Sequence, residues 1–215
     1  MSKPPPSSRR LWDLSPPVSP SAPIFPGDAP FRLQWTARIG PQCPVNLSAV
    51  STSPHVGAHA DAPLHYADEG AAIDAVALDP YLGRCRVIHA IDCGPLILPQ
   101  HLAHAAAELP PRVLVRTAEK ADTVWRDDFT AYAPETLAWL AERGVQLVGI
   151  DTASVDPASS KTLDAHQQLR AHDLRVLENL VLDEVPEGDY ELIALPLRWV
   201  GACASPVRAV LRELP

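Results

Sequence analysis

The chain has 215 residues, 47% hydrophobic and 20% charged, which excludes a disordered chain and suits one domain with a full apolar core. Its net charge of −8 disfavours nucleic acid as a partner, because phosphate contacts need a basic surface. Lys3, Arg9 and Arg10 are not followed by an apolar run, so no signal peptide or membrane span is expected, and the cytoplasm is the expected compartment. Cys43, Cys85, Cys93 and Cys203 show no CxxC spacing and read as ordinary buried thiols.

Residues 1–10 form a Pro/Ser-rich arm expected to be disordered, and residues 11–215 form the domain. Prolines punctuate residues 15–30, giving an irregular extended loop whose Ile24 and Phe25 are apolar groups suited to lining a pocket. Residues 31–39 alternate Phe31, Leu33, Trp35, Ala37 and Ile39 with Arg32, Gln34, Thr36 and Arg38, the pattern of a half-buried strand. Gly40 and Pro41 turn the chain, and residues 45–51 read as its antiparallel return.

Residues 53–66 gather three histidines and an aspartate. Pro54, Gly57 and Pro63 argue against a helix, so the segment is expected to be extended, with His55, His59, Asp61 and His65, all odd-numbered, on one side. Imidazole nitrogens and a carboxylate are donors for zinc and related divalent ions, and the small Gly57 and alanines let the backbone bend closely around one. The bland alternative is a set of unrelated surface histidines, which three of them plus an aspartate make hard to sustain.

Strands are expected over residues 84–91, 112–117, 145–150, 175–182 and 190–197. Helices are expected over 99–109, 133–143 and 162–171, with Gly144 capping the second. Strands crowd the start and alternate with helices later, the pattern of an α/β domain with a mixed, partly antiparallel sheet and flanking helices. His55, His59 and Asp61 supply at most three ligands. Further donors are open among His166, Glu178, His172, Asp151, Asp156, Asp164 and Asp173, while His89, His101 and His104 stand beside no carboxylate cluster.

From Leu11-Trp12-Asp13-Leu14-Ser15-Pro16-Pro17 through Phe25-Pro26-Gly27-Asp28 to the C-terminal strand, the chain resembles the cyclase-like metal-dependent hydrolases. Their hallmark is His-x-Gly-Thr-His-x-Asp-x-Pro-x-His; here Ala58 takes the threonine position. The reading Gly-Ala-His-Ala-Asp-Ala-Pro-Leu-His-Tyr is similar to the kynurenine formamidase (arylformamidase) subgroup. That resemblance implies a swivelling β/β/α fold and metal-dependent hydrolysis of N-formyl-L-kynurenine to L-kynurenine and formate in tryptophan degradation. It also implies a homodimer and two zinc ions, replaceable by manganese or cobalt. His55, His59 and Asp61 would hold one ion, and Asp61, His166 and Glu178 the other. His65 would be the catalytic acid/base. Phe25 stands where the subgroup usually has tryptophan, keeping an aromatic face for the substrate but losing the indole N–H. The competing expectations are an isatin-type hydrolase on the same scaffold and a non-catalytic metal-binding protein.

Overall fold

Four short parallel strands form the spine of the molecule, and everything around the site is hung from them. The computed structural model describes residues 9–215. In chain order its strands are β1 (Leu11–Asp13), β2 (Arg32–Ala37), β3 (Leu47–Ser51), β4 (His59–Asp61), β5 (Leu82–His89), β6 (Leu96–Ile97) and β7 (Arg112–Arg116). They continue as β8 (Ala131–Tyr132), β9 (Leu147–Ile150), β10 (Arg175–Glu178), β11 (Gly188–Ile193), β12 (Ala204–Pro206) and β13 (Val210–Glu213). The helices are α1 (Pro99–Leu102), α2 (Pro134–Ala141) and α3 (Asp164–Ala171).

The main sheet has nine strands in the order β1-β13-β11-β5-β7-β9-β10-β4-β12. β5, β7, β9 and β10 run parallel, and every other pairing is antiparallel. The expected α/β domain with a mixed, partly antiparallel sheet is therefore what forms. The central strands are apolar on both faces because both faces are covered. Val87, Leu114, Leu147 and Leu177 enter one core, and Ile88, Val113, Val115, Val148, Ile150 and Val176 the other. The second core is roofed by α2 and α3 through Leu137, Leu140 and Leu169. The first contains Trp12 and Leu211 from one end of the sheet and Ala60 from the other, so the sheet curls until its two ends share one interior. Each such aliphatic side chain taken from water contributes about 1.5–3 kcal/mol.

Several elements differ from expectation. Residues 31–39 do form a strand, paired antiparallel with β3 as expected, but the hairpin stands apart from the main sheet and is exposed along both faces. Leu33, Trp35, Leu47 and Val50 are each 44–57% exposed, so the half-buried strand is corrected to a projecting one. The helix expected over 99–109 stops at Leu102 and continues only as a tight turn over Ala103–Ala105. Beyond it, Arg86 Nη1 donates to the carbonyls of Ala105 (2.9 Å) and Ala107 (2.6 Å), which satisfies them without a helix. β10 ends at Glu178, not residue 182, because Asn179 turns at φ +57°. Cys85 is buried, but Cys43, Cys93 and Cys203 are partly exposed, and all four are unpaired. Residues 1–8 of the expected arm lie outside the described residues, while the backbones of Arg10 and Glu213 bond to each other (3.0 Å) beside β13.

Candidate active site

The three residues of β4 set the site. Ala60 enters the curled core, so the side chains on either side of it, His59 and Asp61, point to the opposite face. β10 runs antiparallel alongside, with Glu178 directly opposite His59 and Val176 opposite Asp61, which puts the Glu178 carboxylate on that same face. His55 is returned to the cluster by a turn at Gly57, whose φ of +71° favours glycine. His166 comes from the first turn of α3. The extended path expected over 53–66 is thus corrected: only β4 is a strand. His65 arrives on a 3-10 turn, Pro63–His65, against which Gly70 packs so closely that a Cβ there would lie 2.3 Å from Pro63. The odd-numbered residues do converge, but turns bring them together.

All five expected ligands meet in one buried cluster. Asp61 Oδ1 lies 2.9 Å from His55 Nδ1 and 3.4 Å from His59 Nε2, while its Oδ2 lies 3.4 Å from His166 Nε2. Glu178 spans the same gap, with Oε2 3.3 Å from His59 Nε2 and Oε1 3.8 Å from His166 Nε2. Second hydrogen bonds fix the ring orientations. His59 Nδ1–H donates to the Gly57 carbonyl at 2.9 Å, and His166 Nδ1–H to Asp156 Oδ2 at 2.6 Å, so both rings aim their Nε2 atoms into the cluster, free to shed a proton when a cation arrives. Asp156 also accepts the backbone N–H groups of Ala165 and His166 at 2.9 and 3.0 Å, and so caps α3 as it orients its histidine. His55 Nε2 faces Cys203 Sγ at 3.4 Å.

The donor set fits a divalent metal ion. His59 Nε2 and Asp61 Oδ1 are buried, yet neither forms an aligned hydrogen bond, leaving lone pairs that a cation satisfies. His55, His59 and Asp61 form one set of converging donor atoms, and Asp61, His65 and His166 another. Electrostatics agree. Burial pushes the His59 imidazole down, but Asp61 and Glu178 outweigh it and carry it up to about 10. Burial likewise opposes charge on His166, and Asp156, Asp61 and Glu178 raise it to about 10. Burial raises the Asp61 carboxyl, yet His166, His55 and His59 hold it well below the usual range. The carboxylates therefore demand positive charge and keep protons on two imidazoles wherever no cation supplies it.

His65 differs. Its ring centroid lies 4.3 Å from that of His55 and 5.6 Å from that of His166, and it opens to the cavity. Partial burial, then repulsion from His55 and His166, lowers its pKa against the pull of Asp61, so it is neutral at pH 7 and able to accept a proton. The cavity above the cluster measures about 1060 Å³. Ile24 and Phe25 line it, and so do Trp125 and Phe129. Phe25 packs edge-on to Trp125 at 5.1 Å, and Trp125 to Phe129 at 6.0 Å, making a three-ring wall. Sequence reasoning missed Trp125 and Phe129, whose only signal is aromatic residues stranded in a polar loop. It left Asp156 among undecided donors, although it stands just ahead of the helix that carries His166. His89, His101 and His104 lie elsewhere, on the Val185 carbonyl, the Leu98 N–H and Glu187.

A curled mixed sheet carrying a buried imidazole–carboxylate cluster is a setting suited to metal-assisted hydrolysis. The Cyclase family model matches residues 12–157, and the chain belongs to the Cyclase family. It is 70% identical over 207 residues to the kynurenine formamidase of Bordetella pertussis, covering 96% of this chain and 99% of that one. The kynurenine formamidase of Delftia acidovorans is 65% identical over the same shares. Among solved structures, a predicted metal-dependent hydrolase from Bacillus stearothermophilus superposes with a TM-score of 0.83 at 24% identity over 97% of this chain and 100% of that one. Isatin hydrolase A from Labrenzia aggregata does so with a TM-score of 0.80 at 22% identity over 96% and 94%, a likeness of fold alone.

Proposed function

We infer that this chain is an arylformamidase that hydrolyses N-formyl-L-kynurenine to L-kynurenine and formate in tryptophan degradation. The near-full-length identity to kynurenine formamidases carries this reading. His55, His59 and Asp61 would hold one zinc ion, and Asp61, His166 and Glu178 a second. The two oxygens of Asp61, facing different imidazoles, support its sharing between them. Manganese or cobalt could serve the same nitrogen and oxygen donors. When bound, the ions supply Lewis acidity to the formyl carbonyl and make water acidic enough to attack near neutral pH.

The chain's own residues do the rest. In the reaction, water oxygen joins the formyl carbon, the carbon–nitrogen bond breaks and the aniline nitrogen gains a proton. His65, neutral and facing the cavity, accepts the proton that water loses and returns it to that nitrogen. Without this transfer the nitrogen would leave as an anilide, too basic to depart. Phe25 and Trp125, packed against each other, form one wall for the substrate's ring, and the Trp125 indole brings an aromatic N–H to a wall whose position 25 is phenylalanine. The exposed apolar face of β2 and β3 supports a homodimer. The four unpaired cysteines suit the reducing cytoplasm. No helix among the described residues is long and apolar enough to cross a membrane.

The test is turnover of N-formyl-L-kynurenine by the purified protein, followed as kynurenine formation, with isatin in parallel. Preferential hydrolysis of the formamide is expected. Hydrolysis of isatin alone would move the chain to ring-opening amide chemistry, and turnover of neither would leave a metal-binding protein.

A further inference from the structure

The wall of the cavity beyond the metal-type cluster is acidic, with Asp28, Asp122, Asp151 and Asp183 lining it. Arg126 is the one Lys or Arg side chain that lines it among the described residues. This arginine follows Trp125 directly in the chain, so ring wall and positive charge sit side by side on one loop. That loop is held in place at both ends. Thr117 N–H and Oγ1 donate to Asp151 at 2.8 and 2.7 Å, and Ala121 N–H donates to Asp183 Oδ1 at 2.8 Å. At the far end Thr130 Oγ1 donates to the Gly94 carbonyl at 2.9 Å.

Asp128, which does not line the cavity, grips Arg126 through Nε (2.9 Å) and Nη2 (2.8 Å). Nη1 is left without a hydrogen-bond partner among the described residues. Asp122, which does line the cavity, stands 4.0 Å from Arg126 Nε. A cavity thus offers one cation and one carboxylate a short distance apart, next to an aromatic wall. That is the complement of an α-amino acid zwitterion carried on an aryl ring.

We propose that Arg126 and Asp122 form a subsite for the α-amino acid head of the substrate, Arg126 taking the carboxylate and Asp122 the ammonium group. This rests on the arylformamidase reading. It adds to it the group that distinguishes an amino-acid aryl formamide from a simple one. The remaining carboxylates around the wall repel any anion placed elsewhere, so they narrow the orientations in which the head can lie.

The experiment compares Arg126→Gln with wild type on two substrates, N-formyl-L-kynurenine and N-formyl-2-aminoacetophenone, which keeps the ring, ketone and formamide but has no amino acid head. Because Arg126 is on the surface, the substitution leaves the folded protein intact, which its unfolding curve checks. The ratio of KM for the headed substrate to KM for the headless one is expected to rise about tenfold, with kcat for both within about twofold. Asp122→Asn should move the same ratio in the same direction by less. An unchanged ratio in Arg126→Gln would overturn the subsite while leaving the formamidase reading intact. Wild-type protein that turns over neither compound would overturn both.

Discussion

β4 with its partner β10 and β2 with its partner β3 are both antiparallel pairs, yet they have opposite fates. β4 and β10 are buried throughout apart from Arg175, and His59, Asp61 and Glu178 lie side by side on one face at the floor of the cavity. β2 and β3 show a cleaner alternation of apolar and polar residues, and almost all of it faces water. Alternation specifies a strand. What covers the strand depends on elements far away in sequence: α3 and the Asp156 loop over one pair, nothing among the described residues over the other. The lesson is that buried polarity marks the site, whereas exposed apolarity marks a surface still lacking its cover.

The sharpest break at the site that the buried pair floors comes from His65→Ala, on the turn just after β4. Formate release should fall by about 10²–10⁴, the range for a lost acid/base, with metal content by elemental analysis unchanged. Equal activity would remove His65 from the chemistry. Asp156→Asn asks whether the second layer of the cluster matters. It keeps shape but weakens the grip on His166 Nδ1, and should cost about 10–100-fold in metal affinity, read by chelator competition.

The hairpin is probed by Val50→Asp. A charge in that apolar stripe should halve the molecular mass seen by sedimentation while leaving the thermal midpoint of the subunit nearly unchanged. A mass that stays put would show that the hairpin is not where the copies meet. The smallest effect belongs to Asp189, which accepts from Arg86 Nε at 2.6 Å and Arg84 Nη2 at 2.6 Å and joins β11 to β5. Asp189→Asn should lower stability by about 1–2 kcal/mol at pH 7, measured by urea unfolding. Arg86, then Arg84, hold the Asp189 carboxyl below its ordinary value against the opposing effect of burial. Its contribution is therefore complete above the ordinary carboxylate pKa and is lost as pH falls through the depressed one, so the difference between the two proteins should vanish in acid.

Much of the site was legible because it is local. His55, His59, Asp61 and His65 fall within eleven consecutive positions, and residue type alone suggested a metal site. His166 and Glu178 were placed by family resemblance, since nothing in their surroundings singles them out from His172 or Asp164. The long-range strand register that sets Glu178 opposite His59 is written in no short segment. The conformation of residues 53–66 was misjudged for a related reason: prolines exclude a helix but do not separate a strand from a 3-10 turn, and Pro63 starts one. In the fold, apolar runs such as Leu147–Ile150, within the expected strand over 145–150, located the central strands well, because burial on both faces favours that pattern. The helix expected over 99–109 stops at Leu102, and the carbonyls of Ala105 and Ala107 beyond it are taken by Arg86, a residue on another strand that no local pattern points to.

The claim at the centre of this account is that the buried imidazoles and carboxylates of β4, β10 and α3 are a metal centre for formamide hydrolysis. The most direct measurement is formate release from N-formyl-L-kynurenine by the purified protein as isolated, after chelation, and after zinc is returned, with bound metal counted at each stage. Activity that disappears with the metal and returns as about two zinc ions per subunit are restored is the predicted result. Full turnover by protein stripped of metal would contradict it.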